Sequence, residues 1–169
     1  KFEGVIVLTP DSLGSLLGSI IGNFVSDSVI LEKTSLWLNK LNEKVADERL
    51  TISMNPSDPR IVGRSHVTAD GFLEEDYDLI RNGVLKSFLL SLYVANKSGF
   101  ERAKNTSFSV VIEGGTTPYE DILKGIKKGL IVGRFSGGQP GTNGDFSGVA
   151  KNSFLVEDGK ITGAVSETM

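Results

Sequence analysis

The 169-residue chain has no cysteine, a single histidine, one tryptophan and five prolines. Without cysteine there is no disulfide, no thiol nucleophile and no thiolate metal ligand. One histidine, His66, excludes a zinc site built on two histidines of this chain, and with it any H-E-x-x-H helix. Charge of one sign is scarce: 18 basic residues stand against 21 acidic ones, for a net charge of −3. That balance argues against direct binding of nucleic acid or an anionic membrane, both of which need a basic face. No apolar run approaches the roughly 18 residues of a membrane span. The longest candidate, Leu13 to Val25, is broken by Gly14, Ser15, Gly18, Ser19, Gly22 and Asn23. No signal peptide opens the sequence. The expectation is a cytoplasmic, soluble, single domain over residues 1–169, excised from a longer protein.

What is present is ordinary in bulk and unusual in glycine. Hydrophobic residues make 39% and charged residues 23%, enough for a packed core, and there are 20 glycines. Phe2 to Leu8 is a short apolar run suited to a buried strand. Thr9-Pro10 then carries the mark of a helix start, with Leu13, Leu16, Leu17, Ile20, Ile21 and Phe24 recurring at helical spacing. Gly14, Gly18 and Gly22 run beside that face, each costing up to about 1 kcal/mol relative to alanine. The spacing predicts a bare stripe closely approached by another backbone.

Ser26 to Val45 predicts one or two short helices, and Leu50 to Met54 a strand ending at Asn55-Pro56 and Asp58-Pro59. Asn82-Gly83 between Asp76–Arg81 and Val84–Leu90 is the clearest local signal, a type I′ hairpin. A helix from about Ser91 to Lys97 should close at Gly99. Phe108 to Ile112 predicts a strand, and Thr117-Pro118 a second helix start. In that helix Glu120 and Asp121 precede Lys124, Lys127 and Lys128, matching the dipole, with a Glu120–Lys124 pair. A second hairpin turns at Asp158-Gly159, between Phe154–Glu157 and Lys160–Val165. The fold class expected is α+β, with a mixed or mostly antiparallel sheet, two β-hairpins and helices packed on one face.

Catalytic patterns are missing. There is no G-x-x-x-x-G-K-[ST], no G-x-G-x-x-G opening a helix, no EF-hand spacing around Asn143 and Asp145, and no G-x-S-x-G elbow. Ser65 and His66 alone do not make a triad. The residues by themselves give no complete active site, so no catalytic residue and no cofactor is expected. The glycine-dense stretch from Ser136 to Asp145 is the candidate contact surface, through Gly137, Gly138, Gln139, Thr142, Asn143 and Asp145. Its glycines leave backbone groups accessible to a peptide or a partner, and its polar side chains add donors and acceptors.

Several stretches in order resemble the TldD/PmbA family at its C-terminal domain. They are Val7-Leu8-Thr9-Pro10 with the helix through Phe24, Asn82-Gly83-Val84-Leu85-Lys86-Ser87-Phe88-Leu89, Gly114-Gly115, Gly144-Asp145-Phe146-Ser147-Gly148, and Phe154 to Ile161. The resemblance implies a C-terminal domain fragment of a longer TldD/PmbA-like protein. TldD-type members are zinc metallopeptidases with an H-E-x-x-x-H motif on the helix after the first strand. Here Leu17 and Gly18 stand at its His-Glu and Gly22 at its second His, and the family's cysteine ligand has no counterpart. The resemblance is therefore to the PmbA (TldE) branch without the metal site. It implies a noncatalytic subunit that pairs with a TldD-like metallopeptidase subunit as a heterodimer in peptide maturation or degradation. The substrate would be a peptide, and a homodimer stays open. Two alternatives stand beside it. One is a free-standing binding or scaffold protein, such as a modulator of DNA gyrase. The other is a peptidase whose metal site is assembled from carboxylates.

Overall fold

The computed structural model describes residues 3–63, 65–107, 109–137, 140–141 and 143–167. In chain order the elements are β1 (Val5–Leu8), α1 (Pro10–Phe24), α2 (Asp27–Leu31), β2 (Ile52–Met54), β3 (Tyr77–Arg81), β4 (Val84–Leu85), α3 (Leu92–Ser98), β5 (Val110–Ile112), α4 (Tyr119–Lys124), β6 (Lys128–Ser136), β7 (Val149–Glu157) and β8 (Lys160–Val165). The α+β class holds. Its strands divide between two four-stranded sheets, and each sheet belongs to its own compact unit. The first unit takes residues 1–20 and 115–169 and the second takes 21–114, so the boundary falls inside α1.

The second unit carries sheet β4-β3-β2-β5, antiparallel throughout. Its β3–β4 hairpin turns where the sequence predicts, with Asn82 at φ 49° and Gly83 at φ 75°. Both central residues lie in the left-handed region that a type I′ turn demands. Gly83 is required for a second reason: a Cβ there would press on the Ala46 carbonyl and lie 2.7 Å from that of Asp47. Helix α3 starts at Ser91, whose hydroxyl accepts from the Val94 N–H, and ends on Gly99 at φ 79°. The core of this unit is dense, with Phe88, Ile30, Ile52, Met54, Leu79, Ile80, Leu85 and Leu90 at most 2% exposed. Asn105 is sealed inside it. Its amide donates to the Met54 and Glu75 carbonyls at 3.1 and 2.8 Å, and Ser109 donates to its oxygen.

The first unit carries sheet β1-β6-β7-β8. Strand β1 runs parallel to β6, pairing Val5 with Gly129 and Leu8 with Val132. A parallel pair needs a long crossover, and here more than a hundred residues, the whole second unit included, separate the two strands. The β7–β8 hairpin turns at Asp158 and Gly159, again with positive φ at both. Ile126, Ile131 and Val156 form a small core against which Val7 and Leu123 pack.

Four local expectations are corrected. A Cβ built on Gly14, Gly18 or Gly22 meets nothing within 4 Å, so no backbone of the described residues approaches that stripe. Helix α4 is capped at Pro118, with no side-chain cap bond, rather than at Thr117. Lys124 pairs with Asp121 at 2.8 Å, its i,i+3 neighbour, and not with Glu120. Lys127 and Lys128 fall outside α4, Lys128 being the first residue of β6. Between Ser26 and Val45 there is one short helix, α2. Phe108, expected in a strand, lies outside the described residues; β5 begins at Val110.

Candidate functional site

The positions set against a zinc motif lie on the 15-residue helix α1. Leu17 is buried at 6% exposure, Gly18 is half-buried and Gly22 exposed. None has a donor atom in its side chain, so these residues do not fit zinc. Among the described residues no cluster of three or more His, Cys, Asp or Glu is arranged to hold a metal ion. His66 is exposed and borders a shallow depression in the second unit with Ser57, Ser65, Glu74, Glu75 and Asp76. There the Ser57 hydroxyl is held by the Asp76 carboxylate. Ser65 donates to the Val67 carbonyl at 2.8 Å, so it is committed to a local turn and not to His66. Elsewhere on this unit the Arg49 guanidinium beside Asp47 holds that exposed carboxyl well below the usual range, a surface pair rather than a site.

Two neighbouring cavities open in the first unit instead. One, of about 400 Å³, lies against the first turns of α1 and the end of β6, bordered by Asp11, Ser12, Ser15, Ser19, Arg134 and Ser136. The other, of about 390 Å³, is almost wholly apolar, walled by Ile6, Leu8, Leu16, Leu130, Val132 and Phe146. Ser12, Leu16 and Phe135 border both. The apolar wall follows from the parallel pairing, which sets Ile6 beside Leu130 and Leu8 beside Val132. Phe135 and Phe146, which both line this cavity, meet edge to face at 5.7 Å between centroids.

The start of α1 is chemically open. The Thr9 N–H donates to the Val132 carbonyl, and its hydroxyl donates to that of Gly133. Pro10 has no N–H to give. The first-turn donors without a helical carbonyl behind them are therefore the Asp11 and Ser12 N–H groups. Ser12 is 3% exposed, and its Oγ is the one buried side-chain polar atom without a partner among the described residues. Arg134 is exposed and makes no ion pair there, whereas its cross-strand neighbour Lys151 pairs with Glu167 at 2.9 Å.

The glycine-dense connection joins β6 to β7, which begins at Val149. Of its six expected contact residues, Gly138, Gln139 and Thr142 lie outside the described residues. Gly137, at φ 82°, borders the polar cavity. Asn143 and Asp145 engage each other: the Asn143 amide donates to the Asp145 carboxylate at 2.8 Å, and the Asp145 N–H donates back at 3.1 Å. Sequence reasoning missed Ser12 and Arg134. No local pattern marks them, because a strand pairing between distant segments brings them together.

Residues 3–169 match the PmbA/TldA metallopeptidase C-terminal domain, and the chain belongs to that family. It is 28% identical to the metalloprotease PmbA of Escherichia coli O157:H7, over 96% of this chain and 36% of that protein. Among solved structures it resembles a candidate modulator of DNA gyrase from Bacteroides thetaiotaomicron, with TM-score 0.86 and 32% identity, covering 98% of this chain and 38% of that one. It also resembles TldE from Thermococcus kodakarensis, with TM-score 0.81 and 26% identity, over 96% of this chain and 40% of that one. The chain thus spans about two fifths of the length of the proteins it matches.

Proposed function

We propose that this chain is the C-terminal part of a noncatalytic, TldE/PmbA-type subunit that pairs with a TldD-like metallopeptidase subunit in peptide maturation or degradation. One observation carries the reading: Leu17, Gly18 and Gly22 occupy α1 where metal chemistry would need His, Glu and His. The likeness to TldE from Thermococcus kodakarensis supports it. The role is to help enclose a peptide. The 137–145 connection (Gly137, Gly138, Gln139, Thr142, Asn143 and Asp145) contacts peptide or partner, and β8 offers an exposed edge strand for backbone pairing. No described helix is long and apolar enough to cross a membrane. A cytoplasmic complex is part of the proposal.

The test is a pull-down of the full-length protein from its own cells, followed by elemental analysis and a peptide-turnover assay. The expected result is a co-purifying TldD-type protein, no stoichiometric zinc on the isolated subunit, and turnover only when both are present. One tightly held zinc per chain, or turnover by this subunit alone, overturns the noncatalytic reading. A second reading, a modulator of DNA gyrase, is favoured by the description of the Bacteroides thetaiotaomicron relative. Capture of gyrase without a TldD-type protein would select it.

A further inference from the structure

The reading of this protein as part of a peptide-handling complex leaves open how it would hold a peptide. Resting on that reading, we propose that the paired cavities of the first unit form a subsite for the C-terminal residue of a peptide that ends in an apolar side chain. The α-carboxylate sits in the polar cavity and the side chain in the apolar one.

Three independent features converge on the carboxylate. The N-terminus of the 15-residue α1 presents the Asp11 and Ser12 N–H groups and the positive end of the helix dipole. Ser12 borders both cavities, and its buried Oγ lacks a partner. An unpaired buried hydroxyl is costly, and an arriving carboxylate oxygen would accept a hydrogen bond from it. Arg134 borders the polar cavity without an ion pair among the described residues, and its planar guanidinium suits a carboxylate in a bidentate fork.

The second cavity decides what accompanies the carboxylate. Because it adjoins the first at Ser12, Leu16 and Phe135, one molecule reaches both only if its anionic group lies a few bonds from an apolar group. The terminal residue of a peptide, or a free apolar amino acid, has that layout. Asp11 also borders the polar cavity, and its negative charge opposes any anion there, a dianion such as phosphate more than a monoanionic carboxylate. It would favour the ammonium of a free amino acid, which a mid-chain amide lacks, so the two sources are separable.

Calorimetry on the full-length protein tests this with acetyl-Ala-Ala-Leu, its C-terminal amide, acetyl-Ala-Ala-Gly and free leucine. The expected order has the leucine-ended acid binding about tenfold or more tighter than the amide and than the glycine-ended acid. Arg134→Gln, a change at an exposed position with folding checked by circular dichroism, should remove most of that acid-over-amide preference. Ser12→Ala should weaken the acid as well; folding is checked by circular dichroism. Equal binding of acid and amide, or an unchanged preference in Arg134→Gln, overturns the subsite. Free leucine binding more tightly than the peptide acid overturns the peptide assignment in favour of an amino acid. Binding is read on the isolated subunit, so failure here leaves the pairing with a TldD-type subunit standing. Failure of the pull-down leaves the subsite standing.

Discussion

The two units use similar material to opposite ends. In the second unit, nine apolar side chains of valine size or larger are at most 2% exposed, and a buried asparagine is fully engaged by carbonyls and a hydroxyl. In the first, Val156 is the one apolar side chain of that size buried to that degree among the described residues, and both units expose apolar side chains, Ile6 and Phe146 in the first, Val62 and Leu73 in the second. Interiors at crystal-like density have no room for a ligand, so a unit with open apolar walls and an unpaired hydroxyl has surface to bind with.

Matched substitutions test that contrast, the largest expected effect first. Leu85 of the second unit is 0% exposed, whereas Leu130 of the first, at 7%, borders the apolar cavity. Leu85→Ala should cost about 4–5 kcal/mol and Leu130→Ala about 2–3, since the second site already faces open space. Denaturant midpoints with equal slopes give both numbers. Equal losses would dissolve the distinction between the units.

The hairpin glycines form the next pair. Gly83→Ala combines left-handed backbone with a Cβ driven into two carbonyls, for at least about 2 kcal/mol. At Gly159 the nearest atom is the Lys124 Cα at 3.0 Å, so Gly159→Ala should cost about 1 kcal/mol, chiefly the backbone strain. Thermal unfolding of both variants checks the ratio. A costlier Gly159→Ala would reverse the ranking.

Tyr77 reports on the dense unit through pH. Burial pushes its phenol well above the ordinary 10.0, while its hydroxyl donates to the Asn105 carbonyl at 3.2 Å. The folded value is the higher one, so the protonated form's contribution is intact below about pH 10 and is lost as pH rises beyond it, where only the unfolded chain releases the proton. Stability should therefore fall more steeply above about pH 10 in the wild type than in Tyr77→Phe. Parallel pH profiles would show that the phenol is not buried.

The smallest effect is expected on α1. With nothing within 4 Å of its Cβ position, Gly18→Ala should be neutral or stabilise by up to about 1 kcal/mol through helix propensity. A clear loss of stability in the isolated chain would restore the close backbone approach that the glycine spacing suggested.

Features that depend on a few adjacent residues were legible in advance. Asn82-Gly83 and Asp158-Gly159 announced both hairpins because positive φ is a local property of those residues. Ser91 and Gly99 announced both ends of α3 because caps are made within one turn. The periodicity of Leu13, Leu17, Ile21 and Phe24 announced α1, and the missing donors at Leu17, Gly18 and Gly22 were plain in the sequence. What sequence alone did not decide depends on distant partners. The stripe of glycines was misjudged because spacing says which residues share a helix face, not what lies opposite. Two sheets formed where one was expected because apolar strands do not specify which strand they join. Ile6 meets Leu130, and Ser12 comes to border one cavity with Arg134, only because β1 pairs in parallel with β6 across more than a hundred intervening residues. Local chemistry fixes turns and places helix ends to within a residue, whereas a cavity is a long-range product of strand pairing, and only the tertiary structure contains it.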